Sequence, residues 1–182
     1  MGLNCRTTQK NYESLGLHKY MLTSGCQKSQ TLYGLWENRE AIKKCDFIIV
    51  FEGCKSVQKL DTLYAHTKTG KNLSIGVALF GCILSEKQAK ILRDLNVNII
   101  ISLDKDRPLE EIRYMCNLLR EDNGKKVYYT YDFDGLLDSK DAAIDKGKKV
   151  FEAIMKKAVL FDEQEYEKLQ VDLGRKPEKR LA

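Results

Sequence analysis

The chain has 182 residues, 43% of them hydrophobic, with 31 Lys+Arg against 26 Asp+Glu for a net charge of +5. That length suits one domain with a short extension, and the composition supplies a real core and argues against a long disordered tract. No stretch approaches the ~18 apolar residues of a membrane span and the N-terminus lacks the apolar run of a secretory signal, so a cytoplasmic protein with no membrane partner is expected.

Residues 1–30 are polar and irregular. Over 32–44, Leu32, Leu35, Trp36 and Ile42 recur at helical spacing, which predicts a helix with that face inward. The run 47–51, rich in β-branched and aromatic residues, reads as a buried strand and ends on Glu52-Gly53. A helix is predicted over 56–65 with Val57, Leu60 and Tyr64 inward, then a turn over 68–72 and a second strand over 73–79. Ser85 with Gln88 three residues on is a capping box, opening a helix through Leu95.

The third strand is 97–103, running into Asp104-Lys105-Asp106. Pro108 suits the first turn of a helix reaching about residue 121, and Asn123-Gly124 closes it. The fourth strand spans 126–131. A loop over 132–139 precedes a helix with Val150, Phe151, Ile154, Met155 and Ala158 inward. The tail from Phe161 holds one more helical segment and then the basic residues Arg175, Lys176, Lys179 and Arg180. Strand and helix thus alternate four times, which predicts an α/β fold: about four strands in a mostly parallel sheet, helices on both faces.

Six cysteines invite a metal reading, but no C-x-x-C pair occurs and only His18 and His66 could assist, so no zinc is expected. Reduced thiols fit a cytosolic protein better. The stronger signal is acidic. Parallel sheets bind ligands at the carboxyl ends of their strands, and there Glu52, Asp104 and Asp106 would meet. Asp104 and Asp106 are two apart, so a locally extended chain would turn both to one side. Like charges in one cleft resist ionising together unless a cation joins them. For all-oxygen ligands that cation is Mg²⁺, usually shared with a phosphate substrate. Lys55, Lys105 and Arg107 lie at the same edge and could hold polyanions, and Tyr128, Tyr129 and Tyr131 suit strand packing better than base stacking.

The segments 47–53 and 102–106 together resemble the Toprim domain shared by bacterial-type primases, topoisomerases and related nucleases. Within that group the chain is most similar to primases, especially the phage-encoded kind. Residues 31–35 resemble the segment just before the primase Toprim domain, 77–88 its strand, glycine loop and helix start, 131–141 its final acidic loop, and 148–152 the helix after it. The resemblance runs from about 19 to 159, and implies an N-terminal extension over 1–44 like the end of the primase basic subdomain, a Toprim domain over 45–160 and a helical, basic tail over 161–182.

It implies that Glu52 acts in catalysis and metal binding, that Asp104 and Asp106 bind metal, and that Asp138 or Asp141 supplies a later acidic ligand. Lys28 falls where primases place a basic residue toward nucleotide or template. The implied activity is DNA primase-type nucleotidyl transfer with Mg²⁺, or Mn²⁺ in its place. Its substrates would be ribonucleoside triphosphates on a single-stranded DNA template, and its candidate partners a replicative helicase or a separate primase module. The chain departs from the family in having Ser56 where bacterial primases have an aspartate, Arg107-Pro108 where small residues are usual, and neither the upstream zinc module nor an obvious helicase-binding domain. A Toprim nuclease and a non-catalytic nucleic-acid-binding accessory remain the alternatives.

Overall fold

The computed structural model describes residues 4–18, 20–64, 74–120 and 124–172. A short antiparallel pair, β1 (Asn4–Arg6) and β2 (Tyr20–Leu22), precedes helix α1 (Leu35–Cys45). Then follow β3 (Phe47–Phe51), α2 (Cys54–Tyr64), β4 (Gly76–Ala78), α3 (Glu86–Asp94), β5 (Asn98–Ser102), α4 (Leu109–Arg120) and β6 (Val127–Tyr129). The chain continues through α5 (Lys148–Lys156), β7 (Val159–Leu160) and α6 (Glu163–Asp172).

The main sheet has the order β4-β3-β5-β6-β7. Its first four strands are parallel, and β7 adds a fifth, antiparallel to β6. Four strands were expected. The fifth is only two residues long, too short to show as a periodic pattern. The apolar runs need two buried faces, and they have them. Along β3, Ile48 and Val50 enter a core cluster with Leu92, Ile112 and Leu119. Ile49 and Phe51 point the other way, to Val57, Leu60, Phe151 and Ile154. A period of two that is apolar at every position is the mark of a strand covered by helices on both sides.

Gln88 shows how one side chain organises several segments. Its amide completes the expected capping box, with Gln88 N–H donating to Ser85 Oγ (3.2 Å) and Ser85 N–H to Gln88 Oε1 (3.1 Å). Its Nε2 also donates to the carbonyls of Lys28, Thr31 and Leu79, at 2.9, 2.9 and 3.0 Å. The segment before α1 is thereby tied to the end of β4.

One expectation is corrected here. Trp36 is 82% exposed, while α1 buries Asn38, Ala41 and Ile42. The face is phased by a polar residue: Asn38 Nδ2 donates to the carbonyl of Gly76 (2.8 Å) and to Ser74 Oγ (3.3 Å). The helical segment expected in the tail is α6, and there Phe161 and Tyr166 pack edge-on against Tyr129 at ring distances of 6.4 and 6.0 Å. The turn predicted over 68–72 and the basic residues after Leu173 lie outside the described residues. Among the described residues no helix is long and apolar enough to cross a membrane.

Candidate active site

The sheet order contains one reversal. From β3 the chain crosses to β4 on one side, then returns past β3 to β5 on the other. Strands β3 and β5 are adjacent, parallel and paired from Phe47↔Asn98 to Phe51↔Ser102. The crevice beyond their carboxyl ends is therefore the topological switch point, where α/β sheets bind ligands. Glu52 leaves β3 directly into it, and Asp104 and Asp106 follow β5.

The chain does not stay extended after β5. Arg107 N–H donates to the Asp104 carbonyl at 3.0 Å, closing a turn over 104–107 before Pro108 leads into α4. This turn swings Arg107 back among the acids. Its Nε lies 3.4 Å from Glu52 Oε2 and 3.5 Å from Asp106 Oδ1, and its NH1 lies 3.7 Å from Glu111 Oε2. Glu111, in the first turn of α4, was not foreseen; the acidic start of a helix opened by Pro108 was the signal for it.

Asp145 is a second addition. Burial pushes Asp104 up to about 7, reinforced by the charges of Glu52, Asp145 and Asp106 and opposed by Arg107. Burial also raises Glu52, against Arg107 and with Asp106 and Glu111. Asp145 is itself ion-paired to Lys59 of α2. Asp138 and Asp141, by contrast, share Lys146, and Asp138 is 80% exposed at its side chain. The later acid whose charge bears on Asp104 is thus Asp145.

The basic residues divide in the same way. Lys105 Nζ pairs with Asp132 Oδ2 at 2.9 Å and donates to the Leu137 carbonyl at 2.5 Å. Its backbone N–H donates to the Asp141 carbonyl at 2.9 Å. Lys105 therefore staples the loop 132–142 to the end of β5, with its ammonium engaged by Asp132 and Leu137. Lys28 and Lys55 are exposed. Ser56 is buried in α2, away from solvent. Asp104, Lys105, Arg107, Tyr131 and Asp132 line a cleft of about 240 Å³ beside the acids.

The donor set suits a hard divalent cation, being all carboxylate oxygen. Glu52 Oε2 and Glu111 Oε2 are buried and accept no hydrogen bond among the described residues. Such orphaned acceptors are costly without a partner, and a cation would supply one. As the side chains stand, no group of three His, Cys, Asp or Glu converges to hold a metal ion among the described residues, and Arg107 lies within 3.4 Å of Glu52 and 3.5 Å of Asp106.

No family model matches the chain. It is similar to the DNA primase of Halalkalibacterium halodurans, 33% identical over 110 residues, which is 60% of this chain and 17% of that protein. It is also similar to the SPbeta prophage-derived uncharacterized protein YorJ of Bacillus subtilis, 29% identical over 149 residues, or 73% of this chain and 38% of that one. The chain thus spans well under half the length of both relatives. Among solved structures it is similar to the Aquifex aeolicus primase zinc-binding and RNA polymerase domains, with TM-score 0.71 and 22% identity over 95% of this chain and 40% of that one. This is the Toprim fold of the bacterial primase catalytic core. A second neighbour, the primase catalytic domain bound to ssDNA, has TM-score 0.65 and 22% identity over 87% of this chain and 48% of that one.

Proposed function

We propose that this chain is the nucleotidyl-transfer core of a phage- or prophage-type DNA primase, joining ribonucleotides on single-stranded DNA. The observation that carries this reading is the placement of Glu52, Asp104 and Asp106 at the switch point, with a buried Glu52 oxygen that has no hydrogen-bond donor among the described residues. The prophage relative and the single-strand-bound neighbour support it.

Glu52, Asp104 and Asp106 would hold the metal. Two Mg²⁺ ions, when bound, would activate the attacking 3′-hydroxyl and stabilise the leaving pyrophosphate. The chain's own residues do the positioning, which is most of the catalysis in phosphoryl transfer. Glu52 sits on the rigid end of β3, so its carboxylate is set by the sheet. Asp104, pushed up to about 7 by burial and the neighbouring acids, would give up its proton as it takes the metal. Lys55 and Lys28 remain as exposed cations for phosphate contacts. A replicative helicase and a separate primase module are the candidate partners.

The test is template-dependent ribonucleotide incorporation on single-stranded DNA, with and without such a module, comparing wild type with Glu52→Gln. Incorporation lost in the variant upholds the reading. Wild-type incorporation in Glu52→Gln removes Glu52 from the site. Cleavage of labelled strands without triphosphates would instead identify a nuclease.

A further inference from the structure

The turn after β5 places a cation where the fold leads one to look for a metal. We propose that Arg107 is a resident counter-ion of the acidic cleft, which a divalent cation must displace in order to bind. This rests on the metal-binding reading of Glu52 and Asp106, and its test separates the two.

Three carboxylates from three elements surround the guanidinium: Glu52 after β3, Asp106 in the turn, and Glu111 in α4. All three contacts are long, at 3.4, 3.5 and 3.7 Å. A structural arginine clamp looks different, with short, parallel N–H···O bonds of about 2.7–2.9 Å. The molecule contains such a tight pair elsewhere: Arg113 Nε donates to Glu163 Oε1 at 2.6 Å. At Arg107, Nε donates no hydrogen bond among the described residues, and Glu52 Oε2 and Glu111 Oε2 accept none. The guanidinium therefore compensates charge without satisfying the oxygens. Their lone pairs remain open to a better partner.

The backbone makes this placement a built feature. Arg107 N–H is held by the Asp104 carbonyl, and the proline that follows restricts Arg107 itself. The side chain thus starts from a fixed point and reaches Glu52, Asp106 and Glu111. A divalent ion arriving at Glu52 and Asp106 brings twice the charge and fills the open lone pairs, but it must first break three long ion pairs. Apparent metal affinity is lowered by that competition.

The experiment is Mn²⁺ binding to the full chain, followed by paramagnetic resonance, for wild type, Arg107→Gln, Arg107→Lys and Asp106→Asn. Arg107→Gln should bind Mn²⁺ about tenfold tighter than wild type, equivalent to about 1.4 kcal/mol. Arg107→Lys, which keeps the charge on a point cation unable to span three acids, should fall between them. Asp106→Asn should bind more weakly. Structural damage would weaken binding, so a gain of affinity cannot come from it. In EDTA, Arg107→Gln should melt below wild type, and Mn²⁺ should recover more of its melting temperature. Equal or weaker binding by folded Arg107→Gln overturns the inference while leaving the metal site standing. If that variant does not fold, Arg107→Lys decides: tighter than wild type upholds the inference, and equal binding overturns it. No binding in any protein overturns the metal reading, and this inference with it.

Discussion

Asp132→Asn probes how the loop over 132–142 is held against the site. The Asp132 side chain is 4% exposed. Its oxygens accept the N–H groups of Leu136 (2.8 Å) and Leu137 (2.9 Å) and meet Lys105 Nζ at 2.9 Å. Asparagine keeps the shape but replaces one acceptor by an NH₂ facing a donor. A lost hydrogen bond to a charged group costs about 1.5–3 kcal/mol. Lys105, left without its anion, keeps a third of its side chain in water, so the desolvation penalty of a fully buried pair applies only in part. The expected loss is about 2–3 kcal/mol at neutral pH, read as a lower urea midpoint with unchanged slope.

The pH dependence supplies the sign. Burial alone would raise Asp132, but the Leu137 amide, Lys105 and the Leu136 amide outweigh it and hold the carboxyl below its ordinary value. A lowered carboxyl contributes stability that is full above its unfolded pKa and is lost as pH falls through its folded one. Wild type should lose that contribution in acid and the variant should not, so the gap between them closes. A neutral-pH gap under about 0.5 kcal/mol, the scatter of ordinary surface changes, would refute the reasoning. So would a gap that is the same in acid.

Tyr166→Ala should destabilise the protein by about 3–5 kcal/mol in urea titration, as for large aromatic truncations in cores, because Tyr166 is 2% exposed between Tyr129 and Phe161. A loss under 1 kcal/mol by this core-truncation scale would detach α6 from the fold. Gly34→Ala should lower the melting temperature: φ is +79°, and an added Cβ would meet Val57 Cγ1 at 3.0 Å and the Gly76 carbonyl at 3.2 Å. The left-handed backbone alone costs about 1–2 kcal/mol, so an unchanged melting temperature would contradict that geometry.

The sheet was readable because its strands are buried on both faces, which makes 47–51 and 97–103 almost uniformly apolar, and because Ser85 and Gln88 announce a helix start that the structure completes. The misses share a cause. Trp36 and Asn38 exchanged faces because a buried asparagine satisfied by a carbonyl reads as a polar residue in any periodicity count. The pair β6–β7 escaped because two residues show no alternation. At the site, strand ends located Glu52 and Asp104, since topology places strand ends. Glu111, Asp145 and the inward swing of Arg107 depend on one tight turn and on the packing of α4 and the loop before α5, which spacing along the chain does not encode. The engagement of Lys105 was hidden for the same reason: its partner, Asp132, is 27 positions away in sequence but at 2.9 Å in space.

These pairings give the cleft a sign opposite to that of the whole chain. The protein carries +5, yet among the described residues the cations paired with Glu52, Asp104, Asp106, Glu111 and Asp145 are Arg107 and Lys59. The two cations nearest the aspartates are engaged, Lys105 with Asp132 and Arg107 with the acids themselves. A triphosphate approaching this edge meets net negative charge, even with Asp104 pushed up to about 7. On a plain basic surface, Mg²⁺ competes with the protein for phosphate and weakens binding. Here bound Mg²⁺ would offset much of that negative charge, so Mg²⁺ should strengthen nucleotide binding. Fluorescent ribonucleotide titrations at constant ionic strength, with Mg²⁺ and with EDTA, read the sign directly. Tighter binding in EDTA would mean that nucleotide meets the outer lysines instead, and that the acids at the switch point take no part in holding it.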